Sequence, residues 1–260
     1  MKKAARSLLK EIRELSRQKT ARDESGLFVA EGEKIVRDAA AKGHDIKTVV
    51  VSSGFLSDAS DLPAHLEKRG ISVFDVSTSD FDRISTLKNP GGILAIIQKK
   101  PYTIKFLHEL QSALVVLCDG VQDPGNLGSI IRNSVAFGAD CLLLTGSSAD
   151  VYNPKTVRSS SGTVMDIPVI PCSYKDLDIL KKDGYRILTG HIDRSAGTDI
   201  RDIKKIPRLV ILAFGSEGAG ISGEVYTRSD GFFHIGISGK VESLNVTSAL
   251  TISLYELKGR

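Results

Sequence analysis

The chain has 260 residues, 41% hydrophobic and 25% charged, the balance of a folded globular protein of one large or two modest domains, which excludes general disorder. No apolar run approaches the roughly 20 residues that span a bilayer, and the basic start MKKAARSLLKEIRELSRQ lacks the apolar core of a signal peptide, so a cytoplasmic protein free of membrane is expected. The net charge of +4 is unevenly spread: residues 1–22 hold eight Lys/Arg (Lys2, Lys3, Arg6, Lys10, Arg13, Arg17, Lys19, Arg22) against Glu11 and Glu14, a local +6 that suits either a polyanion or a solvated helix face.

In chain order, Leu8, Ile12 and Leu15 make one apolar stripe on a short helix over residues 5–17. GLFVAEGEKIVRDAAAKG reads as a strand ending near Ala30 and a helix closed by Gly43. IKTVVVS, ISVFDVS and GGILAIIQ read as strands, with a helix in DLPAHLEKRG ending on Gly70. The polar stretch around residues 99–111 reads as a linker, which divides the chain into domains 1–105 and 106–260. Beyond it, ALVVLCD, DCLLLTG, YRILTG, RLVILAFG and FFHIGI are strands. Helices are expected over 126–137, after Asn153-Pro154 with Asn153 as N-cap, and from Leu244 to Leu257. These strands are continuous apolar runs alternating with helices, the pattern of an α/β fold whose parallel sheet is covered on both faces.

The three cysteines, Cys118, Cys141 and Cys172, are far apart and lie in or near apolar segments. With no CxxC pair and no His/Cys cluster at ligand spacing, they read as buried thiols, and no metal is expected.

Three strand-to-helix junctions carry polar residues where open parallel sheets bind ligands. In DGVQDPGNLGSIIRNS, Pro124-Gly125-Asn126 turns the chain into a helix that Asn126 can cap, and Arg132 follows about 1.7 turns later. By itself this is a good helix start with one exposed arginine. In FGSEGAGIS the glycines at 215, 218 and 220 do not form the dinucleotide fingerprint. Glu217 among them would repel phosphate, favouring a cationic or hydroxyl-bearing ligand. In HIGISGKVESLNVTSALTISLYE, Ser243 and Asn245 flank Leu244 at a helix entrance, with Ser243 the natural N-cap.

Taken together and in order, Asn126-x-Gly128 with Arg132, Gly215-Ser216-Glu217-Gly218, and Glu242-Ser243-Leu244-Asn245-Val246 resemble the three signatures of the SpoU/TrmH family of RNA 2′-O-ribose methyltransferases, over essentially the whole second half. SRQKTARDESGLFVAEGEKIV and Asn89-Pro90-Gly91-Gly92 resemble the small ribosomal-protein-like RNA-binding domain that precedes the catalytic domain in many members.

The resemblance implies a SPOUT fold, an α/β parallel sheet closed by a trefoil knot, behind a small α/β RNA-binding domain. It implies S-adenosylmethionine as cofactor, held at Gly215, Ile235 and Leu244 with Thr189 and Gly190 as further contacts. It implies RNA as substrate, ribosomal RNA ahead of transfer RNA, and a homodimer. Catalytic roles fall to Asn126, Arg132, Glu217, Ser243 and Asn245. The resemblance implies that Arg132 activates the hydroxyl, but a guanidinium stays protonated far above neutral pH and is a poor base there, so Arg132 is expected to position phosphate and hydroxyl, or to act as base where its surroundings favour the neutral form. A base-nitrogen methyltransferase or an RNA-binding protein without transfer would keep the fold, but the intact Asn–Arg–Ser-Leu-Asn set points to ribose. One departure is Ile235-Gly236-Ile237 where the family commonly reads Ile-Pro-Met; glycine lacks the fixed φ of proline.

Overall fold

Apolar strand runs and helices with one apolar stripe sort the chain into two compact units in the computed structural model, which describes residues 1–57, 60–192 and 197–257. The first unit comprises Met1–Lys100 with Tyr152–Met165, the second Pro101–Val151 with Asp166–Arg260.

In the first unit β1 (Lys2–Lys3), α1 (Arg6–Arg17), α2 (Lys19–Ser25), β2 (Leu27–Glu31), α3 (Glu33–Ala41), β3 (Ile46–Ser52), α4 (Ser53–Ser57), α5 (Leu62–Lys68), β4 (Ser72–Val76), α6 (Thr78–Ile84) and β5 (Ile93–Gln98) follow in order. Its sheet runs β1-β4-β3-β5-β2 and is mixed, because β5 lies antiparallel to both β3 and β2. The stripe on α1 behaves as its spacing predicts: Ile12 and Leu15 are buried against Val29, Val50, Leu94 and Ile96. Charge counting misplaces one residue. Arg22 is buried, and its guanidinium donates to the Leu15 carbonyl at 2.5 Å, so it is a structural strut rather than a surface cation. The other seven Lys/Arg of residues 1–22 are exposed.

The second unit begins with α7 (Lys105–His108), a short helix inside the predicted linker, and continues β6 (Ala113–Asp119), α8 (Pro124–Ala136) and β7 (Cys141–Thr145). The chain then passes through α9 (Pro154–Ser159), whose residues belong to the first unit. There Tyr152 stacks on Phe28 with centroids 4.8 Å apart, Arg158 donates to Thr86 Oγ1 at 2.6 Å, and Asn153 caps the helix as expected. The second unit resumes with β8 (Val169–Pro171), α10 (Tyr174–Lys182), β9 (Arg186–Gly190), β10 (Thr198–Asp199), β11 (Leu209–Gly215), α11 (Gly223–Arg228), β12 (Gly231–His234) and α12 (Val246–Leu257). Of the helices absent from the sequence reading, α10 had a legible signal: Ser173 and Asp176 form a reciprocal capping box ahead of Leu177 and Leu180.

The second sheet runs β10-β12-β9-β11-β6-β7-β8, and every pairing in it is parallel. Every residue of β7 is buried and almost all of β6, which is why those segments read as unbroken apolar runs. All three cysteines are buried among the core, and desolvation pushes the thiols of Cys118 and Cys172 up to about 12 and that of Cys141 higher still. No described helix is long and apolar enough to cross a membrane.

Candidate active site

Parallel strands end together, so the loops after β6, β9, β11 and β12 gather at one end of the second sheet. The turn after β6 starts α8. Its N-cap is Asp123, which accepts from the Asn126 backbone N–H at 2.9 Å, with Pro124 at the first helical position. Asn126 is therefore not the cap that the sequence suggested. Its side chain is released from backbone duty and donates instead to Glu217 Oε1 at 2.8 Å.

Glu217 sits in the turn after β11, closed by reciprocal backbone bonds between Ser216 and Gly220 at 3.0 and 2.9 Å. Gly215 cannot be replaced there: a Cβ would lie 2.1 Å from the Gly220 carbonyl group. Gly220 supplies the left-handed φ of +67° that reverses the chain, whereas a Cβ on Gly218 would meet open space.

The third segment enters α12, which starts at Val246 rather than Leu244. Asn245, not Ser243, caps it: Asn245 Oδ1 accepts from the Thr247 N–H at 2.9 Å. Its amide then donates to Glu217 Oε1 and, at 3.4 Å, to Asn126 Oδ1. Three residues separated by 91 and 28 positions thus form one hydrogen-bonded cluster around a single carboxylate oxygen. Among the described residues no donor reaches Glu217 Oε2, which is left to accept from a ligand.

One residue missed by the sequence reading holds this arrangement together. Asp119, buried at the end of β6, accepts from Thr145 Oγ1 at 2.6 Å and from the Ser222 backbone N–H at 2.7 Å. It ties the ends of β6 and β7 to the loop that carries Glu217. An acid closing an apolar strand, followed by Gly120, was the available signal.

Beside the cluster lies a cavity of about 810 Å³, lined among others by Gly190, Gly215, Glu217, Ile235, Ser243 and Leu244. The predicted residues therefore divide. Thr189 is fully buried beneath Gly190 and bonded to Ser229 Oγ at 2.6 Å, out of reach of the cavity. Asn126 and Asn245 stand at its rim through Glu217. Arg132 is exposed on α8, six residues and about 9 Å of helix rise from Asn126, and does not line the cavity. The sequence reading did not anticipate the aromatic lining from Tyr226 and Phe233 or the two imidazoles of His191 and His234. Among the described residues that line the cavity none is Lys or Arg, while Glu217 and Glu242 are acidic. No group of acids, histidines and cysteines able to hold a metal occurs among the described residues.

A parallel α/β sheet with a cavity at its carboxyl end, whose described lining carries acids and no Lys or Arg, defines a small-molecule site unlike a nucleotide-phosphate cradle. The chain belongs to the SpoU rRNA Methylase family, whose model matches residues 113–255, and residues 7–95 match the MRM3-like substrate binding domain. It is 30% identical over 242 residues to the 23S rRNA (guanosine(2553)-2'-O)-methyltransferase RlmP of Bacillus subtilis (strain 168), covering 93% of this chain and 92% of that protein. It is similar in structure to the AdoMet-bound rRNA methyltransferase of Sinorhizobium meliloti, with a TM-score of 0.84, 30% identity and coverage of 98% and 95% of the two chains. The SpoU methyltransferase AviRb of Streptomyces viridochromogenes in complex with AdoMet matches with a TM-score of 0.82, 25% identity and coverage of 96% of each chain.

The cofactor of this family, S-adenosylmethionine, fits the cavity chemically. The volume lies in the range of small-molecule sites, roughly 300–1,000 Å³, the glycine at 215 lets the turn that lines the cavity close on the Gly220 backbone, and the acidic described lining, without Lys or Arg, suits a sulfonium and an ammonium.

Proposed function

We propose that this chain transfers a methyl group from S-adenosylmethionine to a ribose 2′-hydroxyl of ribosomal RNA. The observation that carries the reading is the convergence of Asn126, Glu217 and Asn245 on one hydrogen-bonded cluster at the mouth of a cavity with no Lys or Arg among its described lining residues. The ribosomal substrate is supported by the relatives named for rRNA and by the substrate-binding domain ahead of the catalytic one.

The cofactor supplies a methyl group on a sulfonium sulfur, an electrophile with a neutral leaving group, so aligning the ribose oxygen accounts for much of the rate. Asn245 uses every polar atom of its amide to fix the cluster, its oxygen on α12 and its nitrogen on Glu217 and Asn126. Glu217, held through Oε1 by two amide donors, offers Oε2 to the incoming hydroxyl. Ser243, exposed at the cavity lining, orients the sugar. Arg132 stands outside the cavity and makes no ion pair among the described residues, which leaves its guanidinium for a phosphate of the RNA.

The active form in this reading is a homodimer. Ile252 and Tyr255 are exposed on α12, and Tyr255 packs edge-on against Phe137 at the end of α8, giving an apolar strip that suits a second copy. Incubating the full-length protein with isotope-labelled cofactor and ribosomal RNA tests the reading. Label recovered as a 2′-O-methylnucleoside supports it, and label on a base refutes it.

A further inference from the structure

One charged pair lies outside the cavity lining and reaches it through His234, whose Nε2 stands 4.0 Å from Asp199 Oδ2. Asp199 ends β10, which runs parallel to β12 with Asp199 in register with His234. Its carboxylate accepts three bonds from Arg201: the backbone N–H at 3.0 Å and Nε at 2.9 Å on Oδ1, and Nη2 at 2.7 Å on Oδ2. The carboxylate thereby caps the 3₁₀ turn Ile200–Asp202 and grips the guanidinium as a fork. These bonds hold the Asp199 carboxyl well below the usual carboxylate range. Asp199 is only 16% exposed in its side chain, while Arg201 is 72% exposed.

The fork lies directly behind Gly236. A Cβ on Gly236 would sit 2.9 Å from Asp199 Oδ2 and 3.0 Å from Arg201 Nη2. The φ of Gly236 is outside the left-handed region, so a side chain here would not strain the backbone but would have to displace the fork. The neighbours His234, Ile235 and Ile237 all line the cavity, whereas Asp199 and Arg201 do not. A backbone segment with no regular structure of its own is thus packed on one side by a fixed ion pair and faces the cavity on the other.

We propose that the Asp199–Arg201 fork is a positioning device for the Ile235–Ile237 backbone and thereby sets the affinity of the cavity for its cofactor. It does so without touching the ligand, in the place that a side chain at position 236 would fill. This inference rests on the cofactor reading given above.

A double-mutant cycle in the full-length protein tests it. Gly236→Ala pushes the fork aside, and Arg201→Ala removes it, so each weakens binding of S-adenosylhomocysteine, measured by calorimetry, about fivefold. The Gly236→Ala/Arg201→Ala double variant should be no weaker than either single one, because all three lose the same brace. In methyl transfer the KM for the cofactor should rise while kcat at saturation stays unchanged, and Arg201→Lys, which keeps charge but not the fork, should fail to rescue. In the ligand-free variants, backbone amides at 235–237 should exchange faster than in the wild type. Additive losses in the cycle, or unchanged affinity and unchanged exchange in Arg201→Ala, would overturn the proposal. Failure of the wild type itself to bind S-adenosylhomocysteine would instead refute the cofactor reading, and amide exchange would still decide whether the fork braces the segment.

Discussion

The N-terminal helix and the cavity carry opposite electrostatic designs in one chain. Helix α1 and its flanks expose seven cations, whereas the cavity encloses about 810 Å³ with acids and imidazoles and no Lys or Arg among its described lining. A surface of exposed cations attracts a polyanion in a way that salt screens. A part-enclosed acidic cavity selects a small cationic ligand by shape and a few placed bonds. The difference teaches that a net charge of +4 describes neither region.

The largest effect should fall on Arg132. Arg132→Ala should lower methyl transfer at least about 100-fold through lost alignment of the ribose, while affinity for S-adenosylhomocysteine, read by calorimetry, stays as in the wild type. A parallel collapse of cofactor binding in folded Arg132→Ala would put that arginine in the cavity and break the comparison.

Within the cavity, two glycines three residues apart should behave differently. Gly215→Ala places a Cβ 2.1 Å from the Gly220 carbonyl group and should weaken cofactor binding by about two orders of magnitude or more. Gly218→Ala enters open space and should stay within about threefold of the wild type. Equal losses in the two would mean that the backbone of this turn does not hold the cofactor.

On the basic side, replacing Arg13, Arg17 and Lys19 with alanine should flatten the salt dependence of RNA affinity by roughly 0.7–0.9 for each phosphate that is no longer neutralised. Arg22→Ala should leave that slope alone and lower stability by about 1–3 kcal/mol instead, because it removes the buried donor to the Leu15 carbonyl. Titrations of binding against salt, together with denaturant unfolding, separate the two outcomes. The smallest effect concerns the thiols. With Cys118 and Cys172 raised to about 12, only about one in 10⁴ would be thiolate at pH 8, and iodoacetamide should leave the folded protein unmodified.

Much of this was legible in the sequence for a physical reason. Strands buried on both faces must be apolar throughout, so the second sheet announced itself, and loops that follow parallel strands must gather at one end, which brought Glu217 and Asn245 to Asn126. Hydrogen-bond partnership was less legible. Asp123 and Asn126 can both cap a helix, as can Ser243 and Asn245, and in each pair the structure gave the cap to the residue that sequence reading passed over. Burial of a single charge was not legible at all: Arg22 lies among polar and charged neighbours, as Arg17 does, yet is buried. Nor does sequence order reveal that Tyr152–Met165 packs with residues fifty positions and more before it. The Asp199–Arg201 fork behind Gly236 was equally hidden, because a missing side chain says nothing about what takes its place.

The central claim is that the Asn126–Glu217–Asn245 cluster directs methyl transfer to a ribose oxygen. A 2′-O-methyl group protects the adjoining phosphodiester from alkaline cleavage, so hydrolysing RNA treated with enzyme and cofactor reads the claim directly. The wild type should create a protected linkage that Glu217→Gln and Asn245→Ala create at least about 100-fold more slowly. Methyl label entering the RNA without any protected linkage, or undiminished protection by both variants, would contradict it.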